Sequence, residues 1–143
     1  MPYQPCLDVR LCTTPLSAQE CIDAVAADEC GALAVFLGTV RNHTQEKTVV
    51  RLEYEAYEPM ALSTMRSIAE EVRARWKAYG VAIHHRIGTL HVGEVAVVVA
   101  VSTPHRQASF EACQYAIDTL KRIVPIWKKE IFTDGEVWVM PTP

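Results

Sequence analysis

The stretch Glu94-Val95-Ala96-Val97-Val98-Val99-Ala100-Val101-Ser102-Thr103-Pro104-His105-Arg106 decides the fold. Its first nine residues are mostly β-branched, which predicts a strand over 94–102. Thr103-Pro104 then predicts a helix start, with Thr103 as N-cap and Pro104 as first helical residue. Phe110, Cys113, Ile117, Leu120 and Val124 recur at helical spacing beyond it, and Pro125 ends the run. Ile126 to Phe132 and Glu136 to Met140 then flank Asp134-Gly135, which predicts a tight hairpin.

Working back toward the N-terminus, Val81 to Ile87 predicts another strand, joined to the first through Gly88 and Gly93. After Pro59, Ala61, Met65, Ile68, Val72, Trp76 and Tyr79 predict a helix closed by Gly80. Val49 to Ala56 alternates as a strand. Ala32 to Leu37 is almost wholly apolar, which predicts a central strand buried on both faces. Ser17-Ala18-Gln19-Glu20 is a capping box opening a short helix to about Ala27. Adjacent hairpins mixed with three main helices predict the α+β class. No repeat, low-complexity tract or linker interrupts residues 1–143, so one domain is expected.

Composition narrows the function classes. Half of the 143 residues are hydrophobic and 22% are charged, which is globular rather than disordered composition. Fourteen basic against seventeen acidic residues give a net charge of −3, which offers no general attraction to nucleic acid or an anionic membrane. No apolar run approaches the ~20 residues of a membrane-spanning helix, and Met1 to Pro5 has no signal-like character, so a cytoplasmic protein is expected. The five cysteines, Cys6, Cys12, Cys21, Cys30 and Cys113, form no Cys-x-x-Cys pair, and the histidines have no ligand spacing. His84 and His85 are adjacent, so a strand would turn them to opposite faces. Neither a metal nor a cofactor is expected.

Three polar clusters stand where packing does not call for them. Gly38-Thr39-Val40-Arg41-Asn42-His43 follows an apolar strand, a place where scaffolds carry binding groups. His105 and Arg106 sit at a helix start, where a cationic pair is unfavourable unless it shares an anion with the free amides. Lys121, Arg122, Lys128 and Lys129 crowd four cations around Pro125, and Lys121 borders the apolar stripe of its helix, where partial desolvation suits acid, base or nucleophile chemistry. Each cluster alone also fits a solvated turn, a tolerated exposed pair or snorkelling lysines. Together they predict a pocket for a small phosphate-bearing anion with a lysine near the reacting atoms. No Walker loop, dinucleotide fingerprint, Ser-His-Asp order or paired-carboxylate motif competes.

From about Gly31 to Val139 the chain resembles the large subunit of molybdopterin synthase. The motifs are Gly38-Thr39-Val40-Arg41-Asn42, Leu52-Glu53-Tyr54-Glu55-Ala56-Tyr57, His85-Arg86-Ile87-Gly88, Ser102-Thr103-Pro104-His105-Arg106 with Phe110-Glu111-Ala112, Leu120-Lys121, and Pro125-Ile126-Trp127-Lys128-Lys129-Glu130. The resemblance implies an α/β hammerhead fold and a dimer of large subunits. Each would bind a small ubiquitin-like sulfur carrier through its C-terminal glycine thiocarboxylate, giving a heterotetramer. It implies conversion of cyclic pyranopterin monophosphate to molybdopterin without a metal. By the same resemblance Lys121 is the essential lysine and Lys128 the second. Arg41, His105 and Arg106 would hold the phosphate and pterin, and Thr39, Val40, Lys129 and Glu130 would line the site. The segment through Cys30 matches only loosely, and the chain stops at Pro143 where many members carry a longer basic tail. The competing readings are a non-catalytic module that binds a phosphorylated metabolite, which has no special use for Lys121, and a scaffold that only docks the ubiquitin-like tail.

Overall fold

The computed structural model describes residues 6–139, which form three helices and nine strands. In chain order these are β1 (Cys6–Cys12), α1 (Ala18–Val25), β2 (Ala32–Thr39), β3 (His43–Thr44), β4 (Lys47–Ala56) and α2 (Glu58–Trp76). There follow β5 (Gly80–Arg86), β6 (Gly88–His91), β7 (Val95–Thr103), α3 (Arg106–Ile123), β8 (Ile126–Phe132) and β9 (Gly135–Val139). Four strands form one sheet in the order β1-β5-β7-β2, with β1 parallel to β5 and the other neighbours antiparallel. The second sheet runs β3-β4-β8-β9, and β6 joins it on β4. The α+β class is as expected.

The valine-rich strand is the spine of the first sheet. Val97, Val99 and Val101 turn to one face and pack with Met65, Ile68 and Val72 of α2 and Ala116, Ile117 and Leu120 of α3. Val98 and Ala100 turn to the other face and meet Cys21 and Val25 of α1. The two-residue period of a strand thus builds a three-layer body, each fully buried aliphatic side chain contributing about 1.5–3 kcal/mol. A third cluster of Val40, Val49, Leu52, Leu90, Ala96 and Phe132 joins the second sheet to one end of the first.

Several local expectations change. The run from Ala32 to Leu37 belongs to an edge strand, not a central one: among the described residues β2 pairs only with β7, and Val35 and Leu37 are 37% and 44% exposed. Apolarity marked a strand there but could not mark its place in the sheet. Helix α2 stops at Trp76 with Lys77 left-handed at φ 52°, so Gly80 is not its cap. Gly80 opens β5 instead, and a Cβ there would lie 2.7 Å from the Cβ of Val25; glycine lets α1 settle on the sheet. Helix α3 begins at Arg106 with His105 as N-cap, two residues later than the proline suggested. Thr103 remains in β7 and donates its hydroxyl to the His105 carbonyl at 2.6 Å, while the Pro104 carbonyl accepts from Gly31 N–H at 3.1 Å. Those bonds hold Pro104 in the connection. The capping box behaves as expected, Ser17 Oγ accepting from Glu20 N–H at 3.1 Å. The C-terminal hairpin also forms, Phe132 pairing with Gly135; Met140, placed in its second strand by the sequence, lies outside the described residues.

Candidate active site

Antiparallel pairing of β4 with β8 sets Tyr54 opposite Lys128, and the Pro125 turn brings β8 back beside the end of α3. Where these elements meet the ends of β2, β5 and β7, a cavity of about 540 Å³ opens, large enough for a small heterocyclic ligand. Gly38 belongs to its wall, and a Cβ there would press within 2.7 Å of Val97 Cγ1.

The cavity gathers Thr39 and Arg41 beyond β2, Lys121 from the last turn of α3, and Lys128 and Glu130 from β8. Three cations thus face one carboxylate. Glu130 is buried and accepts from the Thr44 hydroxyl at 3.0 Å. Burial pushes the Lys128 ammonium below its ordinary pKa; the charges of Lys121 and Arg41 push the same way and Glu130 opposes them. A half-buried lysine held among like charges is suited to binding an anion.

That arrangement costs stability, which gives a measurable expectation. Lys128→Met keeps the apolar stem and removes the strained charge; because solvent screens the open side, the gain is about 0.5–1 kcal/mol. Denaturant midpoints at neutral pH check it, and a lower midpoint in the variant contradicts it. The sign with pH follows: the folded state holds this proton less tightly than the unfolded state. The wild type therefore gains stability as pH rises through the lowered value toward the ordinary 10.5, and Lys128→Met lacks that rise.

Four residues named from the sequence stand elsewhere. Val40 is buried in the core beside Val49 and Leu90, its N–H bonded to the Glu94 carbonyl at 3.0 Å and its carbonyl to Gly93 N–H at 2.8 Å. Lys129 follows Lys128 on β8 and so lies on the opposite sheet face, its Nζ 4.9 Å from the Trp138 ring centre and 3.6 Å from Glu136 Oε1. His105 and Arg106 are exposed at the start of α3, just past Thr103. Val97, by contrast, lines the cavity, so six strand steps separate the two places, roughly 20 Å. Within one copy these two side chains stay outside the cavity.

Sequence reasoning assigned no role to His85 or Tyr54, which both line the cavity, their rings packed edge to face at 5.2 Å. The usable signal was the adjacent histidines in a strand. They do turn to opposite faces: His84 meets α1, with Nδ1 3.2 Å from Cys21 Sγ and Nε2 3.1 Å from Asp8 Oδ2, while His85 faces the lysines. Among the described residues no group of His, Cys, Asp and Glu could hold a metal ion, and no helix is long and apolar enough to cross a membrane.

A mixed α+β domain with a lysine-lined, ligand-sized cavity is the architecture of a protein that handles a small anionic molecule. A family model described as MoaE protein matches residues 11–123. The chain is 53% identical to the molybdopterin synthase catalytic subunit of Bacillus subtilis (strain 168), over 88% of this chain and 80% of that one. It is 40% identical to the chain in the crystal structure of molybdopterin synthase from Staphylococcus aureus, with a TM-score of 0.86 over 90% of this chain and 94% of that one. A chain in the protein–protein complex of subunits 1 and 2 of molybdopterin-converting factor from Helicobacter pylori, 18% identical, shares the fold at a TM-score of 0.75 over 92% of this chain and 89% of that one. The chain belongs to the MoaE family, a family of enzymes whose curated members carry the name molybdopterin synthase catalytic subunit.

Proposed function

We propose that the chain is the catalytic subunit of a molybdopterin synthase and acts in molybdenum cofactor biosynthesis in the cytoplasm. Its substrate is cyclic pyranopterin monophosphate, and its sulfur donor is the C-terminal thiocarboxylate of a small ubiquitin-like carrier. The carrying observation is the convergence of Arg41, Lys121 and Lys128 on one cavity. Arg41 and Lys128 offset the charge of the substrate phosphate and of the donor. The Lys121 ammonium stabilises negative charge as the thiocarboxylate is attacked and breaks down, and donates a proton to a leaving oxygen. In each transfer the carrier sulfur bonds to a substrate carbon as that carbon's oxygen leaves, and water then cleaves the acyl–sulfur bond, releasing the carrier as an ordinary carboxylate.

A dimer supports retaining His105 and Arg106 in the site. The unpaired edge of β2 exposes Val35 and Leu37, apolar groups a second copy can cover. Arg41 follows one end of β2 and the His105 turn adjoins the other, where Ala32 pairs with Thr103. A two-fold axis beside that edge sets each copy's His105 and Arg106 toward the other's Arg41.

Mixing the purified chain with cyclic pyranopterin monophosphate and the thiocarboxylated carrier is expected to yield the dithiolene product. No product with an intact carrier overturns the reading.

A further inference from the structure

The motif His85-Arg86-Ile87-Gly88 has no part in the chemistry above, yet it places an imidazole in the cavity floor. His85 is 5% exposed on β5, a central strand of the first sheet, held by register against Val97. Its Nδ1 lies 2.8 Å from the Arg86 carbonyl oxygen. A carbonyl can only accept, so Nδ1 carries the hydrogen and Nε2 carries the lone pair. The edge-to-face Tyr54 ring fixes the plane of the imidazole.

Burial pushes the imidazole down to about 4; the bond to Arg86 opposes this, and the Lys121 charge adds to it. His85 is therefore neutral at physiological pH. No donor among the described residues reaches Nε2. That atom is also not sealed from the surface, so it opens on the cavity. Lys121 is the charged group whose field reaches His85, and its ammonium has three hydrogens and no hydrogen-bond or ion-pair partner among the described residues.

We propose that His85 is a positioning residue: rotation of the Lys121 side chain within the shared cavity brings its ammonium to Nε2, which accepts a hydrogen bond and holds that amine at the reacting atoms. The inference rests on the catalytic reading of Lys121. An unheld lysine spreads over many rotamers, and a fixed acceptor at the cavity floor selects the few that aim Nζ at the substrate. A neutral acceptor does this without the charge that a carboxylate would set against the anionic ligands. The second imidazole nitrogen, tied to the backbone, prevents the ring from turning its donor toward the ammonium.

The test compares His85→Phe, which keeps the ring and removes the acceptor, with His85→Gln, whose side-chain oxygen can reach the position of Nε2. In the complex with thiocarboxylated carrier, His85→Phe is expected to lower kcat about 10- to 100-fold with KM and carrier affinity within about twofold. His85→Gln is expected to recover most of the loss. A normal kcat in His85→Phe, a loss confined to KM, or no recovery in His85→Gln overturns the proposal. Imidazole ¹⁵N shifts, read with His85 in place, supply a readout independent of how well the His85 variants fold. Nδ1 is expected protonated, and the Nε2 resonance is expected to move in Lys121→Met. The opposite tautomer or an unmoved Nε2 also overturns it. Lys121→Ala run in parallel separates the two readings: if it too turns over normally, the catalytic reading itself has failed.

Discussion

Lys121→Ala is expected to bind the small carrier subunit with near-normal affinity and to lower single-turnover dithiolene formation by about 10²–10³-fold, equivalent to about 2.7–4 kcal/mol. The size follows from its place. Lys121 sits in the last turn of α3, where the helix dipole favours a cation, and reaches into the cavity across from Lys128. Its charge matters most when negative charge develops on a breaking thiocarboxylate, less in the ground state, so the loss falls on rate rather than affinity. Lys128→Ala differs, losing substrate affinity as well as rate, because Lys128 also offsets the charge of the bound ligand. Near-normal turnover in Lys121→Ala removes the catalytic claim and favours a binding module that senses a phosphorylated metabolite.

Arg41→Ala and Arg106→Ala are each expected to weaken substrate binding roughly ten- to a hundredfold, the loss of one charge-assisted hydrogen bond worth about 1.5–3 kcal/mol. At limiting substrate both variants are nearly silent. Unfolding them together and refolding restores activity if each site draws Arg41 from one copy and Arg106 from the other. Random reassociation makes half the dimers mixed, and each mixed dimer carries one intact site of two, so about a quarter of the wild-type activity returns. Calorimetry on each single variant, with activity on the mixture, reads the result. No recovery on mixing places the two arginines in one copy's site or in none. An unchanged affinity in Arg106→Ala removes the α3 start from substrate recognition.

Fold class, the three helices and most strands were legible because the apolar period changes cleanly between them. The strand at Val95 and the helix stripe from Cys113 to Val124 needed no tertiary information, although Phe110, read as part of that stripe, is exposed. The places that misled were those where tertiary packing decides. Nothing local says that Ala32 to Leu37 sits at an edge, since an edge strand destined for a partner reads like a central one. Pro104 is an ordinary helix-start signal, but its carbonyl is engaged by Gly31, seventy-three positions earlier, and the helix starts after it. β1 and the two short strands β3 and β6 were not anticipated: β3 and β6 are too short to carry a period, and β1, Cys6-Leu7-Asp8-Val9-Arg10-Leu11-Cys12, has charged residues among its apolar ones. Of the expected site residues, Thr39, Arg41, Lys121, Lys128 and Glu130 do meet in one cavity. Lys129 was grouped with Lys128 by adjacency, although alternation along a strand separates them. His85 became visible only once the cavity gave its free nitrogen something to face.

The opposite facing of Lys128 and Lys129 makes the protein unusually intolerant of insertions and deletions in one short segment. Removing a single residue between Lys121 and Lys128 and slipping β8 by one position along β4 would carry Lys129 into the cavity. Lys128 would then pass to the Trp138 face. The slip turns every side chain of β8 to the other face, so Glu130 leaves the cavity together with Lys128. A homologue whose Pro125 segment differs in length by one residue is therefore expected to carry a compensating bulge in β8, much as a reading frame lost at one point must be recovered at another.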